Sequence, residues 1–434
     1  MRTFNLTFLL LFTLTNVFGQ LSDQNIITTD IDNFWTAYDK VITTKDSSLQ
    51  YKYINELFID KGTPGLKAIM EARDYTSKSY IEAINNYPLF WNSIRANTLK
   101  AREFANEIAI EVGKIKSVYP ILKPAKIYFT IGAFLTGGTT LNGIVLIGSE
   151  LALADKNTIT SELPENLKHL RTSFDTDPIK GVVSLNVHEY AHTQQKTTIG
   201  NNLLAQSVLE GVAEFVAVTA TLKQSELPAI AYGKKHFERV REVFSKQMFN
   251  TFTGFWLYSN SKNEFQTRDL GYYVGYDICE KYYQKAEDKN QAIKEMIELD
   301  YNNENQLMKF VDKSEYFKTP LRKIKKQFEK DRPFVSKITQ FKNKSKNVDA
   351  ATSFLTIEFS EKMNKNYKNF ELGPLGENNI LRLEFINFSE DGKSVRFKIK
   401  LKSNQHYQIL VGERFRSENG LSLKPYLIDI TTAK

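Results

Sequence analysis

Five consecutive residues, His188-Glu189-Tyr190-Ala191-His192, spell HExxH. Residues four apart share one face of a helix, so both imidazoles can hold the same cation. The glutamate between them is turned about 100° from the first histidine, which lets it reach a water on that cation without becoming a ligand. Catalytic zinc generally takes three protein ligands and leaves one position open. Glu210, eighteen positions after His192, offers the third and opens the segment Glu210-Gly211-Val212-Ala213-Glu214. HExxH also arises by chance on surface helices that bind no metal. The chain has only 5 histidines in 434 residues, which makes that coincidence rare here, and the second acidic helix argues further against it.

Two helices must position these donors. Asp177-Pro178 is a helix-start signal, and Ile179, Val182, Val183, Leu185 and Val187 carry an apolar helix into the motif. After a break at Gly200-Asn201-Asn202, Leu204, Val208, Val212 and Val216 recur at helical spacing. Two such helices facing each other bring His188, His192 and Glu210 together.

HExxH followed at this distance by an EGxAE-type helix resembles the gluzincin metallopeptidases, which include thermolysin-like proteases and zinc aminopeptidases. The resemblance implies zinc ligated by His188, His192 and Glu210, with Glu189 as general base. It also implies that Glu214, one turn after Glu210, accepts the outer ring N–H of a ligand histidine. The reverse assignment, with Glu214 as ligand and Glu210 as helper, uses the same residues. Zinc aminopeptidases carry a YxxG tyrosine that stabilises the oxyanion, and Tyr272 in Gly271-Tyr272-Tyr273-Val274-Gly275-Tyr276 occupies that position. Tyr273 and Tyr276 compete for the role. Tyr272, Tyr276 and Cys279 also share a helical face that suits a core.

Upstream, Ile127–Ile131 and Ile144–Ile147 are β-rich runs separated by turn signals at Gly137-Gly138 and Asn142-Gly143. Gluzincins place a small sheet before the HExxH helix and pair its edge strand with an extended substrate. The resemblance therefore points to Gly143, Ile144 and Val145 as substrate-binding, at the start of an edge running to Ser149; an ordinary core strand fits the same pattern. The chain departs from the family in two respects. It lacks a Gly-x-Met-Glu-Asn strand for an N-terminal amine, and it lacks a further histidine placed as an oxyanion donor. His169, His236 and His406 stand apart and suit solvated or structural roles. The resemblance covers roughly residues 120–290 and leaves endo- versus exopeptidase action open.

The N-terminus reads as an export leader. Met1-Arg2 is followed by a mostly apolar stretch, Phe4 to Phe18, and Val17-Phe18-Gly19 predicts cleavage before Gln20; an uncleaved anchor is the alternative. No other stretch reads as long enough to span a membrane, so a periplasmic or extracellular protein is expected. The single cysteine, Cys279, allows no intrachain disulfide and suits a small buried hydrophobe. A net charge of +8, from 58 basic and 50 acidic residues, is spread along the chain and marks no nucleic-acid module.

These features predict a multidomain chain with a leader over 1–19 and a zincin-like α+β domain over 20–331. That domain is read as mostly helical over 20–120, with a core over 121–331 carrying a small sheet. An all-β Ig-like sandwich is expected over 332–434, where short strands and Asp391-Gly392 and Asn419-Gly420 turns replace helical spacing. Leu355 to Met363 resembles the FSExM signature of bacterial Ig-like domains attached to exported enzymes, which implies a spacer, a support or a docking module for a surface partner. The expected function is zinc-dependent peptide-bond hydrolysis. An inactive surface-binding module and a zinc hydrolase acting on a non-peptide amide or ester are the alternatives.

Overall fold

The computed structural model describes residues 23–260 and 262–434, and the expected leader lies outside them. The chain folds into two units. The first comprises residues up to Lys114 with Lys123–Pro164 and Phe174–Asn186; the second comprises Ile115–Leu122, Glu165–Ser173 and Val187–Lys434.

In the first unit, helices Thr29–Val41, Ser47–Ile54, Pro64–Arg73, Ser77–Asn86, Pro88–Thr98 and Ala105–Gly113 realise the helical spacing of the N-terminal sequence. Local chemistry sets their starts. Asp46 accepts the N–H groups of Ser48 and Leu49, Thr63 caps a helix with proline at its first position, and Thr76 and Ser79 form a reciprocal capping box. Their buried faces supply an aromatic cluster of Phe34, Trp35, Tyr38, Phe58 and Trp91. Asp177 departs from its expected capping role. It adopts a left-handed φ of 54°, and its carboxylate accepts the Lys156 N–H at 2.9 Å and pairs with Lys180.

The same unit contains strands β1 (Ile26–Ile27), β2 (Ile127–Thr130), β3 (Gly138–Leu141) and β4 (Ile144–Gly148), in the order β1-β2-β4-β3. This order corrects the expectation for Gly143, Ile144 and Val145. Strand β4 is paired on both sides, parallel to β2 and antiparallel to β3, so its backbone groups are committed and the edge is β3. Gly143 lies in the Asn142-Gly143 hairpin turn, where φ values of 51° and 75° suit an Asn-Gly pair. Just beyond β4, the fully buried Glu150 carboxylate accepts the N–H groups of Gly132 at 2.8 Å and Phe134 at 3.2 Å. Desolvation pushes its pKa up to about 7.

The second unit is built around helices Leu203–Thr221 and Leu270–Lys285, which cross with their backbones in contact. A Cβ at Gly211 would sit 2.0 Å from the Gly275 carbonyl carbon, and one at Gly275 would sit 1.8 Å from the Ser207 carbonyl oxygen. Leu203–Thr221 also corrects the expectation that no stretch past the leader could span a membrane. By length and composition it could, but 89% of its apolar window is buried inside the protein, as in a core helix. Helices Pro228–Lys235 and Phe237–Gln247 flank the crossing, with Lys289–Glu298, Glu304–Ser314 and Leu321–Asp331 further along the chain.

From Val335 onward, apart from a 3-10 turn at Glu377–Asn379, the regular elements are strands: β5 (Val335–Ile338), β6 (Phe354–Phe359), β7 (Phe370–Glu371), β8 (Glu384–Phe388), β9 (Ser394–Lys398), β10 (His406–Val411) and β11 (Tyr426–Thr431). They form two sheets, β5-β6-β9-β8 and β11-β10-β7, with antiparallel pairing throughout. Leu355, Ile357 and Phe359 alternate inward from β6 and meet Ile409, Val411, Ile428 and Ile430 in one apolar core. Asn250 joins this part to the helices. Its side-chain amide donates to the Gly420 carbonyl at 2.8 Å, its side-chain oxygen accepts the Ser422 N–H at 3.0 Å, and its own carbonyl accepts the Leu203 N–H at 2.9 Å. Arg332 adds bonds to the Ser422 and Leu423 carbonyls and to Glu413.

Candidate metal centre

Helix Val182–His192 ends at the second motif histidine, and Leu203–Thr221 follows after a loop, capped by the Asn202 side chain on the Ala205 N–H at 2.9 Å. The Nε2 atoms of His188 and His192 lie 3.1 Å apart. Glu210 Oε2 lies 3.2 Å from the His192 Nε2 and 3.5 Å from the His188 Nε2. His188, Glu189, Glu210 and Glu214 are all buried, and His192 is partly buried.

Each donor is oriented from behind. The outer nitrogen of His188, Nδ1, lies 2.9 Å from Glu214 Oε2, and the opposite oxygen of Glu214 accepts the Ser225 hydroxyl. The Nδ1 of His192 lies 2.6 Å from Gln195 Oε1, while the Gln195 amide donates to the Leu209 carbonyl at 2.9 Å and to the Tyr301 hydroxyl at 3.0 Å. Nδ1 is therefore the proton-bearing nitrogen of both neutral rings, and the two Nε2 lone pairs converge. Glu210 turns Oε1 away, where it accepts the Tyr258 hydroxyl and the Gln206 amide.

This donor set fits a zinc ion. Four ligands at about 2.0–2.1 Å from a tetrahedral centre stand about 3.3–3.4 Å apart. The observed triangle has edges of 3.1, 3.2 and 3.5 Å. Two lone pairs facing each other at hydrogen-bond distance repel unless a proton or a cation lies between them. The electrostatics point the same way. Burial disfavours a charged His188, yet hydrogen bonds it donates to Glu210 and Glu214 hold its pKa well above the ordinary histidine value. Burial likewise disfavours an ionised Glu210, yet both histidines hold its carboxyl well below the usual range.

Glu189 is buried beside this cluster, and its charge acts on His188, His192, Tyr258 and Tyr272. Of the three tyrosines in question, Tyr272 faces the centre. Its ring centroid is 6.0 Å from that of His188, and burial pushes its phenol pKa well up. Tyr273 instead packs against Gly233, and Tyr276 packs edge-on to Phe215. Cys279 is buried, with its thiol pKa pushed up by desolvation, as suits a core residue. The other histidines lie elsewhere: His169 Nδ1 on the Asn166 carbonyl, His236 against the Tyr232 ring, and His406 on Asp429.

Sequence reasoning missed Tyr258, Gln206, Gln195 and Ser225. Gln195 alone carried a local signal, an amide three residues past a ligand histidine. Tyr258 lies 48 residues from Glu210 in a loop with no periodicity.

No protein-family model matches the chain, and no curated protein matches it. Among solved structures it aligns with the S-layer protein rSbsC(31-844) and with surface layer protein SbsC, domains 1-6. Each alignment has 12% identity and a TM-score of 0.18, covering 82% of this chain and 45% of the other. The chain thus spans under half the length of these proteins, and a superposition this poor carries no argument about fold or function.

Proposed function

We propose that the protein is an exported zinc-dependent metallopeptidase of gluzincin type, with zinc held by His188, His192 and Glu210. The observation that carries this reading is the triangle of three converging donor atoms with the outer nitrogen of each histidine already engaged. The C-terminal strands are read as an Ig-like module, supported by two antiparallel sheets around one core.

Bound zinc would polarise the scissile carbonyl and lower the pKa of a water to about 7. Glu189, buried and one residue from His188, takes the proton from the attacking water and returns it to the leaving amine. Tyr272 donates its hydroxyl to the oxygen that gains charge as the carbonyl becomes tetrahedral. Glu214 keeps the His188 ring turned with Nε2 inward.

Metal analysis and peptide hydrolysis, measured on the purified protein and two variants, test this. We expect about one zinc per chain, lost in His188→Ala, and in Glu189→Gln zinc retained while hydrolysis falls at least about a hundred-fold. Folded protein that binds no metal under zinc-replete conditions, or full activity in Glu189→Gln, would sink the reading.

A further inference from the structure

We propose that Tyr258 is a positioning residue of the metal centre, saturating the outer oxygen of Glu210 so that a single oxygen faces the two histidines. The proposal rests on the zinc reading above.

Three side chains close a ring of hydrogen bonds behind the ligand. The Tyr258 hydroxyl donates to Glu210 Oε1, while the Gln206 amide donates to that oxygen at 3.1 Å and to the phenol oxygen at 2.7 Å. The orientation of Gln206 is fixed, because its carbonyl oxygen already accepts the Gly200 N–H at 2.7 Å. Its amide nitrogen therefore has to point at the pair. A carboxylate with both oxygens available can rotate or chelate a cation through both. With two donors on Oε1, only Oε2 is left for the ion.

The backbone of Tyr258 shows that this placement is held against resistance. The residue has a φ of +59°, a left-handed conformation that bulky side chains rarely adopt. Packing does not account for it, since the residue is 53% exposed. Two polar contacts do. The hydroxyl is seated on Glu210 at one end, and the Tyr258 N–H donates to Asp269 Oδ1 at 2.7 Å at the other. Asp269 directly precedes helix Leu270–Lys285, three residues before Tyr272. Asp269 thus touches both tyrosines, its carboxylate taking the Tyr258 N–H and its backbone carbonyl the Tyr272 N–H at 3.0 Å, and their rings meet edge to face at 6.3 Å. The two have different tasks. Tyr258 is committed to the ligand, whereas Tyr272 is the one placed against the His188 ring.

The test uses the full-length protein and measures metal rather than turnover. Zinc dissociation constants are taken by competition with a chromophoric chelator, and the visible spectrum of the cobalt(II)-loaded protein reports coordination number. Tyr258→Phe is expected to raise the zinc Kd about 10- to 100-fold and to alter the cobalt spectrum, with little change in the melting temperature of the metal-free protein. Gln206→Met, which removes the other donor, is expected to shift both readouts in the same direction and serves if Tyr258→Phe does not fold. An unchanged Kd and cobalt spectrum in both variants, beside a wild type that binds one zinc, overturns the proposal and leaves the zinc reading standing. A wild type that takes up neither metal overturns both.

Discussion

Glu214 is bonded to the nitrogen of His188 that points away from the other donors, at 2.9 Å, and Ser225 donates to the opposite oxygen of the same carboxylate. The ring of His188 therefore has one orientation in which both nitrogens are used. Glu214→Ala removes the acceptor and leaves the ring free to turn. We expect the zinc Kd to rise about 10- to 100-fold, with zinc stoichiometry restored at high metal concentration. Isothermal titration of the apo protein checks this.

Tyr272 and its neighbours should separate cleanly. Tyr272→Phe deletes only a hydroxyl beside the centre, so we expect about a 10²- to 10³-fold loss in kcat with zinc content unchanged. Tyr273→Phe and Tyr276→Phe alter residues packed away from the centre and should leave kcat near wild type. Comparable kcat losses in all three variants would remove Tyr272 from the mechanism.

Glu150 should make stability depend on pH in a defined window. Its folded pKa, about 7, lies above the ordinary 4.5, so the fold prefers the protonated form. That stability is fully present below about pH 4.5 and is lost as pH rises to about 7, by on the order of 3 kcal/mol. Glu150→Gln cannot ionise, so it should flatten this part of the profile. It should also be less stable in acid, because an amide NH2 would face one of the two backbone N–H groups. Chemical denaturation at about pH 5 and about pH 8 gives the two slopes.

Asn250 should couple the helical and strand parts of the second unit. Asn250→Ala leaves the Gly420 carbonyl and the Ser422 N–H without this partner, at a cost on the order of 3 kcal/mol. In wild type we expect helix melting and near-ultraviolet signals to unfold together. In the variant the two should separate, as calorimetry and circular dichroism would show.

Legibility in the sequence followed the range of the interactions involved. Strand β6, Phe354–Phe359, is legible because Leu355, Ile357 and Phe359 alternate within six residues. The two-residue strand β7 is too short for any period and was missed. The run Ile144–Ile147 was readable as a strand, but its place in the sheet was not. Strand order depends on β2 and β3 lying on either side of it, which no local pattern encodes. At the candidate site, the converging donors were legible because helical spacing fixes His188 against His192 and Glu210 against Glu214. The groups behind them arrive from loops, as Tyr258 and Ser225 do, and loops carry no period from which a contact can be read.

The contact between Gly211 and Gly275 has a consequence for how such chains can diverge. One glycine sits inside Glu210-Gly211-Val212-Ala213-Glu214, and the other closes Tyr272-Tyr273-Val274-Gly275. The two fingerprints, whose glycines stand 64 positions apart, are the two sides of a single backbone crossing. A methyl group on either side would push the carboxylates and the phenol out of register together. Neither fingerprint can drift alone, so a distant descendant that has lost one glycine should have lost the other, and with them the arrangement of His188, Glu210 and Tyr272.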